Sequence, residues 1–89
     1  MNVELDPDVV KRLKKLDVKI LKSFKVRIIK FSKNPKDPKL NNHRLKKEWH
    51  GCRSIDINAD WRAIYKVIQI REENVAYFVA IGTHKELYK

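Results

Sequence analysis

The chain has 89 residues, of which 21 are lysine or arginine and 11 are aspartate or glutamate, so its formal net charge is +10. This length suffices for one domain with a single modest hydrophobic core and is too short for two. The single cysteine, Cys52, excludes an internal disulfide and a zinc site built on paired cysteines. We therefore predict one domain, residues 1–89, whose excess positive charge favours a nucleic acid, an anionic membrane or an acidic protein as partner.

The sequence does not indicate membrane insertion or export. No apolar run approaches the roughly 20 residues that a membrane-spanning helix needs. The stretch from Met1 to Asp8 lacks the basic and then apolar segments of a signal peptide. We expect a soluble, cytoplasmic protein.

Two helices are predicted in the first half of the chain. The first begins at Asp6-Pro7-Asp8, because aspartate caps free N–H groups and proline fits the first helical turn. The second spans Val18 to Lys33 and ends before Asn34-Pro35. Its apolar stripe recurs at a period of about 3.6 residues and consists of Ile20, Leu21, Phe24, Ile28 and Phe31. Residues 1–5 are compatible with a short strand.

The second helix carries a further apolar flank, formed by Val18, Val26 and Ile29 and interrupted by Lys22. Two interpretations are open. The flank packs against the first helix, or it is a docking surface for a partner. The exposure of these side chains in the folded protein distinguishes the two.

The pattern changes after the loop at residues 34–42, which is rich in proline and asparagine. Apolar residues then alternate with others over residues 52–58, 61–68 and 75–81, as in β-strands. Residues 58–60 and 71–74 are the predicted turns. We therefore predict an α+β fold, in which two N-terminal helices pack on one face of a small antiparallel sheet of three strands. The opposite face is then uncovered and lined by polar groups, unless a partner or ligand occupies it.

Chemically versatile side chains are concentrated in this second half, which contains all three histidines of the chain. RNA cleavage without a metal requires a base for the 2′-hydroxyl proton, an acid for the leaving 5′-oxygen and cations for the phosphate charge. Histidine suits either proton role, because its unperturbed pKa of about 6.5 lies near neutrality. The candidate residues are His43, Asp56, Asp60, Arg62, His84 and Tyr88. Their spacing alone leaves catalysis and simple nucleic-acid binding both open.

Four segments of this half form an ordered set. They are Asn42-His43-Arg44-Leu45, Trp49-His50-Gly51-Cys52-Arg53, Asp60-Trp61-Arg62-Ala63-Ile64-Tyr65-Lys66 and Ile81-Gly82-Thr83-His84-Lys85-Glu86-Leu87-Tyr88. In this order they resemble the RelE superfamily of toxin–antitoxin toxins, and most of all its YafQ-type branch. The resemblance implies a small ribosome-dependent endoribonuclease that cuts translated mRNA and is neutralised by a co-expressed acidic antitoxin. We expect neither a metal ion nor a small-molecule cofactor.

The resemblance also implies catalytic roles. His43, Asp60 and His84 match catalytic residues of the YafQ branch. Asp56 stands where that branch has a further histidine, so the chain departs from the pattern there. We expect His84, and after it His43, to transfer protons. Asp60 is expected to orient a histidine or act as a base, and three roles stay open for Asp56: base, orienting group or none.

Cations and an aromatic side chain are expected to hold the RNA. Arg62 resembles a RelE-branch arginine that contacts the scissile phosphate, and a guanidinium can bind phosphate oxygens through two N–H groups. Tyr88 sits where RelE uses a C-terminal aromatic residue. The basic residues Arg44, Lys46 and Lys47 lie near His43 in the sequence and are predicted to touch RNA.

Two other functions compete with this hypothesis. Toxins that resemble ParE belong to the same superfamily and poison DNA gyrase without RNA chemistry. They generally lack the terminal histidine, so Gly82-Thr83-His84 argues against them. A non-enzymatic basic module that binds nucleic acid requires only the charge and would tolerate the loss of its histidines.

Overall fold

The computed structural model describes residues 1–88 of the chain. Its elements are β1 (Asn2–Leu5), α1 (Pro7–Lys14), α2 (Val18–Lys33), β2 (His43–Arg44), β3 (Arg53–Asp56), β4 (Trp61–Ile70), β5 (Glu73–Thr83) and α3 (His84–Leu87). Single 3₁₀ turns at Pro38–Leu40 and Lys47–Trp49 flank β2. None of the helices in this part of the chain has the length and apolar character needed to cross a membrane.

Both long helices begin where their sequence signals lie, and α2 also ends there. The Asp6 side chain accepts a hydrogen bond from the Asp8 backbone N–H at 2.9 Å, and Pro7 is the first helical residue of α1. Asp17 caps α2 in the same way, with 2.8 Å to the Lys19 N–H. The predicted bounds of α2 are confirmed.

The sheet has the strand order β1-β5-β4-β3-β2. The three predicted strands are confirmed as β3, β4 and β5, and their pairings are antiparallel. Two edge strands extend the sheet: β2 pairs antiparallel with β3, whereas β1 pairs parallel with β5. The sheet is therefore mixed and mostly antiparallel. The short strand expected within residues 1–5 is confirmed as β1, whereas β2 was not predicted, because alternation cannot be recognised over two residues.

The hydrophobic core lies between the two helices and one face of the sheet, which confirms the predicted α+β layering. Phe31 of α2 is fully buried and contacts Tyr65 and Phe78 edge-on, with ring centroids 4.9 and 5.5 Å away. Such pairs stabilise a core beyond the burial of their area alone. Val9 of α1 and Phe24 of α2 complete the helical side.

The second face of the sheet is partly covered, so the prediction of an open face was wrong in part. Leu87 of α3 packs on Gly82, where an added Cβ would lie 3.3 Å from the Leu87 side chain. Tyr88 extends this cover to Ser54, which is fully buried, as is its cross-strand neighbour Ile64. A four-residue helix has no recognisable period, so the sequence did not reveal it.

A two-residue turn joins β4 and β5. Ile70 pairs with Glu73, and the intervening Arg71 and Glu72 both have positive φ, 51° and 69°. This is the conformation for which Asn-Gly is strongly preferred, because other residues crowd their Cβ atoms there.

The double substitution Arg71→Asn/Glu72→Gly should therefore stabilise the protein. Relief of about 1 kcal/mol of strain corresponds to a rise in Tm of roughly 4–8 °C for a domain of this size. Thermal unfolding followed by circular dichroism measures it. Gln69→Gly, in the neighbouring extended strand, is the control and should lower Tm. An unchanged or lower Tm for the double variant would show that the turn is not strained.

Candidate active site

Strand pairing gathers several of the predicted site residues on the second face of the sheet. His43 lies opposite Ser54, and Asp56 lies opposite Arg62. Directly opposed residues of neighbouring strands share a face, as do residues two apart on one strand. All four side chains therefore lie on one face. Tyr88 reaches the same face, where its hydroxyl donates a hydrogen bond to Ser54 Oγ at 2.7 Å.

His43 is held through one ring nitrogen. Its Nδ1 lies 2.8 Å from the carbonyl oxygen of Asn41. A carbonyl oxygen only accepts hydrogen bonds, so Nδ1 carries a proton, and in the neutral form of the exposed ring Nε2 is then the acceptor. Asn41 adopts the left-handed backbone conformation, with φ 48° and ψ 46°, which asparagine tolerates better than most residues. The backbone before β2 thus prepares His43 to accept a proton.

His84 is the first residue of α3, and its imidazole is exposed. Its backbone N–H donates to the carbonyl oxygen of Asp60 at 2.8 Å. Its ring stands edge-on to the Tyr88 ring, with centroids 4.6 Å apart and an angle of 66°. Thr83 and Glu86 form a capping box that starts the helix at this residue. The fold therefore fixes where His84 stands.

Glu86 also anchors α3 to the rest of the protein. It accepts a hydrogen bond from the Thr83 backbone N–H at 2.9 Å, and Arg12 Nη2 of α1 donates to both carboxylate oxygens at 3.1 Å. These donors, first Thr83 N–H and then Arg12, lower the pKa of the Glu86 carboxyl from its usual value. His84 is thus tied to the first helix of the chain through its own helix cap.

The guanidinium of Arg62 is bound on several sides by the protein itself. Nη1 donates to the carbonyl oxygens of Asn58 and Trp61 at 2.8 and 3.0 Å, and Nη2 donates to that of Ala59 at 3.2 Å. Nε lies 3.0 Å from Asp56 Oδ1. Arg62 therefore braces the turn between β3 and β4 and neutralises Asp56.

Asp56 keeps unused acceptor capacity. Its Oδ1 is buried and accepts no hydrogen bond from residues 1–88, because the Arg62 contact is a charge pair without hydrogen-bond geometry. Its Oδ2 has a weak contact of 3.5 Å with Asn41 Nδ2. Asn41 thus contacts both His43 and Asp56. Asp56 lies on the same sheet face as His43, two residues along β3 from Ser54, the cross-strand partner of His43.

The other predicted site residues are dispersed. Asp60 lies at the exposed turn and contacts His84 through its backbone carbonyl. Lys46 and Lys47 line a cavity of about 210 Å³ together with Tyr88, next to the site. Arg44 follows His43 on β2 and pairs with Arg53, so its side chain lies on the opposite face of the sheet.

Comparison with known proteins decides the family. The family described as "Bacterial toxin of type II toxin-antitoxin system, YafQ" matches residues 6–89. The chain belongs to this family. Its members are mRNA-cleaving toxins that act in type II toxin–antitoxin systems. Comparison with curated protein sequences gives no significant match.

Solved structures show the same fold as this toxin. The YoeB/ParE toxin from Agrobacterium tumefaciens is 17% identical, with a TM-score of 0.74 over 94% of this chain and 99% of that one. YafQ from E. coli strain BL21(DE3) is 22% identical, with a TM-score of 0.67 over 99% and 98%. A chain of the E. coli DinJ–YafQ complex is 24% identical, with a TM-score of 0.64 over 99% and 98%. The predicted superfamily and branch are confirmed.

Asn41 and Ser54 of this toxin also contact the candidate site residues, and neither was predicted from the sequence. Asn41 touches His43 and Asp56, and Ser54 receives the Tyr88 hydroxyl beside His43. An asparagine just before a candidate catalytic histidine is a usable signal, because asparagine favours left-handed turns. Ser54 carries no comparable signal, since its role depends on a residue 34 positions away.

Within the described residues, no three His, Cys, Asp or Glu side chains lie close enough together to hold a metal ion. The side chains described at this site offer imidazole, carboxylate, hydroxyl, guanidinium and ammonium groups.

Proposed function

We propose that this toxin cuts mRNA on the ribosome through its own side chains, with His43 as the base and His84 as the acid. The observation that supports this division is the hydrogen bond from His43 Nδ1 to the Asn41 carbonyl oxygen. It selects the tautomer whose Nε2 can take a proton. His84 stands at the start of α3, edge-on to Tyr88, and is the second imidazole available to the same face.

The reaction is an internal attack on phosphorus. His43 Nε2 takes the proton of the 2′-hydroxyl, and the 2′-oxygen forms a bond to phosphorus. The bond from phosphorus to the 5′-oxygen breaks, and His84 gives its proton to that oxygen. The products are a 2′,3′-cyclic phosphate and a 5′-hydroxyl. Lys46 and Lys47, at the cavity beside Tyr88, hold the phosphate charge.

Asp56, Asp60 and Arg62 position these groups in this proposal. Asp56 accepts a proton or orients a cation. Asp60 holds the start of α3 through its carbonyl oxygen. Arg62 balances the charge of Asp56, and it reaches a phosphate only by giving up one of its carbonyl contacts.

The ends of the cut mRNA test this mechanism. Ribosomes programmed with a defined mRNA should yield fragments with 5′-hydroxyl and 2′,3′-cyclic phosphate ends at defined codon positions. A 2′-deoxy substitution at the cut nucleotide should abolish that cut. Fragments with 5′-phosphate ends would instead require attack by water, and intact mRNA alongside DNA breaks in induced cells would favour a gyrase poison.

The apolar flank of α2 is a suitable docking surface for the cognate antitoxin. Val18, Val26 and Ile29 are 63%, 59% and 57% exposed, so the interpretation that this flank packs on α1 was wrong. Exposed lysines on α2 adjoin it, namely Lys22, Lys25 and Lys33. We propose that an amphipathic acidic segment of the antitoxin covers this flank, with its carboxylates beside the lysines.

The double substitution Val26→Asp/Ile29→Asp should weaken antitoxin binding by at least tenfold. Burial of each side chain contributes about 1.5–3 kcal/mol, and about 1.4 kcal/mol is tenfold in affinity. Isothermal titration calorimetry with the purified antitoxin measures it, and cleavage by the free toxin should be unchanged. Val67→Asp, on the 49% exposed Val67 of β4, is the control. Equal affinities of the double variant and the parent would place the antitoxin elsewhere.

A further inference from the structure

Two arginines face each other on the side of the sheet away from His43. Arg44 of β2 and Arg53 of β3 are direct cross-strand partners, so their side chains share a face. Like charges placed directly opposite each other destabilise a strand pair. The ion pairs within residues 1–88 are Arg12–Glu86, Lys30–Asp37 and Arg62–Asp56. Neither arginine of the pair takes part in one.

The two arginines line a groove on the protein surface. Arg44 and Arg53 line a cavity of about 380 Å³, whose other walls are Leu45, His50, Gly51 and Cys52. Gly51 has a φ of 89°, and a Cβ added there would meet nothing within 4 Å. The groove is thus accessible from this side.

One of the two guanidinium groups is fixed in advance. Arg53 Nε donates to Asn42 Oδ1 at 2.7 Å, and Asn42 Nδ2 in turn donates to the Tyr65 hydroxyl at 2.7 Å. Arg53 is partly buried, whereas Arg44 is exposed. A held cation beside an exposed one, neither of them paired with a carboxylate in residues 1–88, is an arrangement that an anion would stabilise.

We infer that this groove binds a phosphodiester of an RNA backbone, separate from the phosphate that is cut. Guanidinium groups present planar N–H donors that match two phosphate oxygens at once. His43 and Arg44 are consecutive on the edge strand β2 and point to opposite faces. An RNA strand that crosses this edge therefore meets the proposed base on one side and the arginine pair on the other. The choice of RNA as the ligand rests on the proposed function, whereas the anion site itself does not.

Binding measurements test the groove without requiring cleavage. The probes are a single-stranded 2′-O-methyl RNA oligomer, which has no free 2′-hydroxyl to attack, and ribosomes without mRNA. Arg44→Gln should lower affinity about tenfold at low salt. It should also make the plot of log K against log salt shallower by about 0.7 for the oligomer. Arg71→Gln, at the exposed β4–β5 turn, is the matched control and should bind like the parent.

The two probes separate the sources of the phosphate. A loss with the oligomer assigns the groove to the mRNA strand, and a loss with empty ribosomes alone assigns it to ribosomal RNA. Parent-like binding of Arg44→Gln to both probes overturns the inference. Neither probe is cut, so these measurements do not depend on the proposed cleavage mechanism. RNA binding at the groove can be confirmed when that mechanism is refuted, and the mechanism can hold when binding at the groove is refuted.

Stability without RNA gives a second readout. Removal of one charge from the Arg44–Arg53 pair should raise Tm at low salt. Inorganic tripolyphosphate should raise the Tm of the parent and have a smaller effect on Arg44→Gln, because ligand binding stabilises the folded state. An equal effect of tripolyphosphate on both proteins contradicts an anion site at the pair.

Discussion

His84→Ala should lower the rate of mRNA cleavage on ribosomes by about 10² to 10⁴, the usual contribution of a positioned acid or base. The substitution should not disturb α3, because the cap uses Thr83 and Glu86 rather than the imidazole and alanine is a good helix former. Single-turnover cleavage on programmed ribosomes measures the rate, and growth arrest after induction should be lost.

Lys85→Ala is the matched control for His84→Ala. Lys85 is the next residue of the same short helix and is exposed, so its loss should leave cleavage close to the parent rate. Antitoxin affinity and Tm should be unchanged in both variants. Cleavage by His84→Ala at the parent rate would refute its role as the acid and favour a module that only binds RNA.

The second large effect is expected at Asp56, which the resemblance places where the YafQ branch has a further histidine. A carboxyl group with an unperturbed pKa of about 3.9 is rarely protonated near neutrality and is a weaker base than imidazole. Asp56→Asn replaces the carboxylate by a neutral amide, which is not a base, and removes the charge that balances Arg62. We expect about a 10²-fold lower cleavage rate, at the lower end of the range for such groups, with little change in ribosome affinity.

The variant Asp56→His distinguishes an effect on the reaction from an effect on the stability of the fold. It introduces the residue type that the resemblance implies for this position and should retain or raise the cleavage rate, although it also removes the Arg62 ion pair. If the two variants lose similar amounts of Tm but differ in rate, the effect belongs to the reaction. Cleavage by Asp56→Asn at the parent rate would remove Asp56 from the mechanism and leave His43, Asp60, Arg62 and His84.

Local interactions explain why the helices and the long strands were predictable. The Asp6 and Asp17 caps join atoms only two residues apart, and apolar spacing over ten or more residues reports which face is buried. The candidate site residues were predicted for a related reason. His43, Asp60, Arg62 and His84 fall within short ordered segments whose resemblance to the family does not depend on knowing the fold, and Asp56 lies between two of these segments.

Only the tertiary structure decided how these side chains meet. Tyr88 reaches Ser54 across 34 residues, and Arg12 binds Glu86 across 74. No local pattern encodes such contacts, because they depend on which strands become neighbours. Strand pairing likewise placed His43 and its neighbour Arg44 on opposite faces of the sheet. It also placed Arg62 where backbone carbonyl groups and Asp56 bind its guanidinium. The sequence by itself thus determined the family and the available chemical groups, whereas the packing of distant segments determined which of those groups share a site.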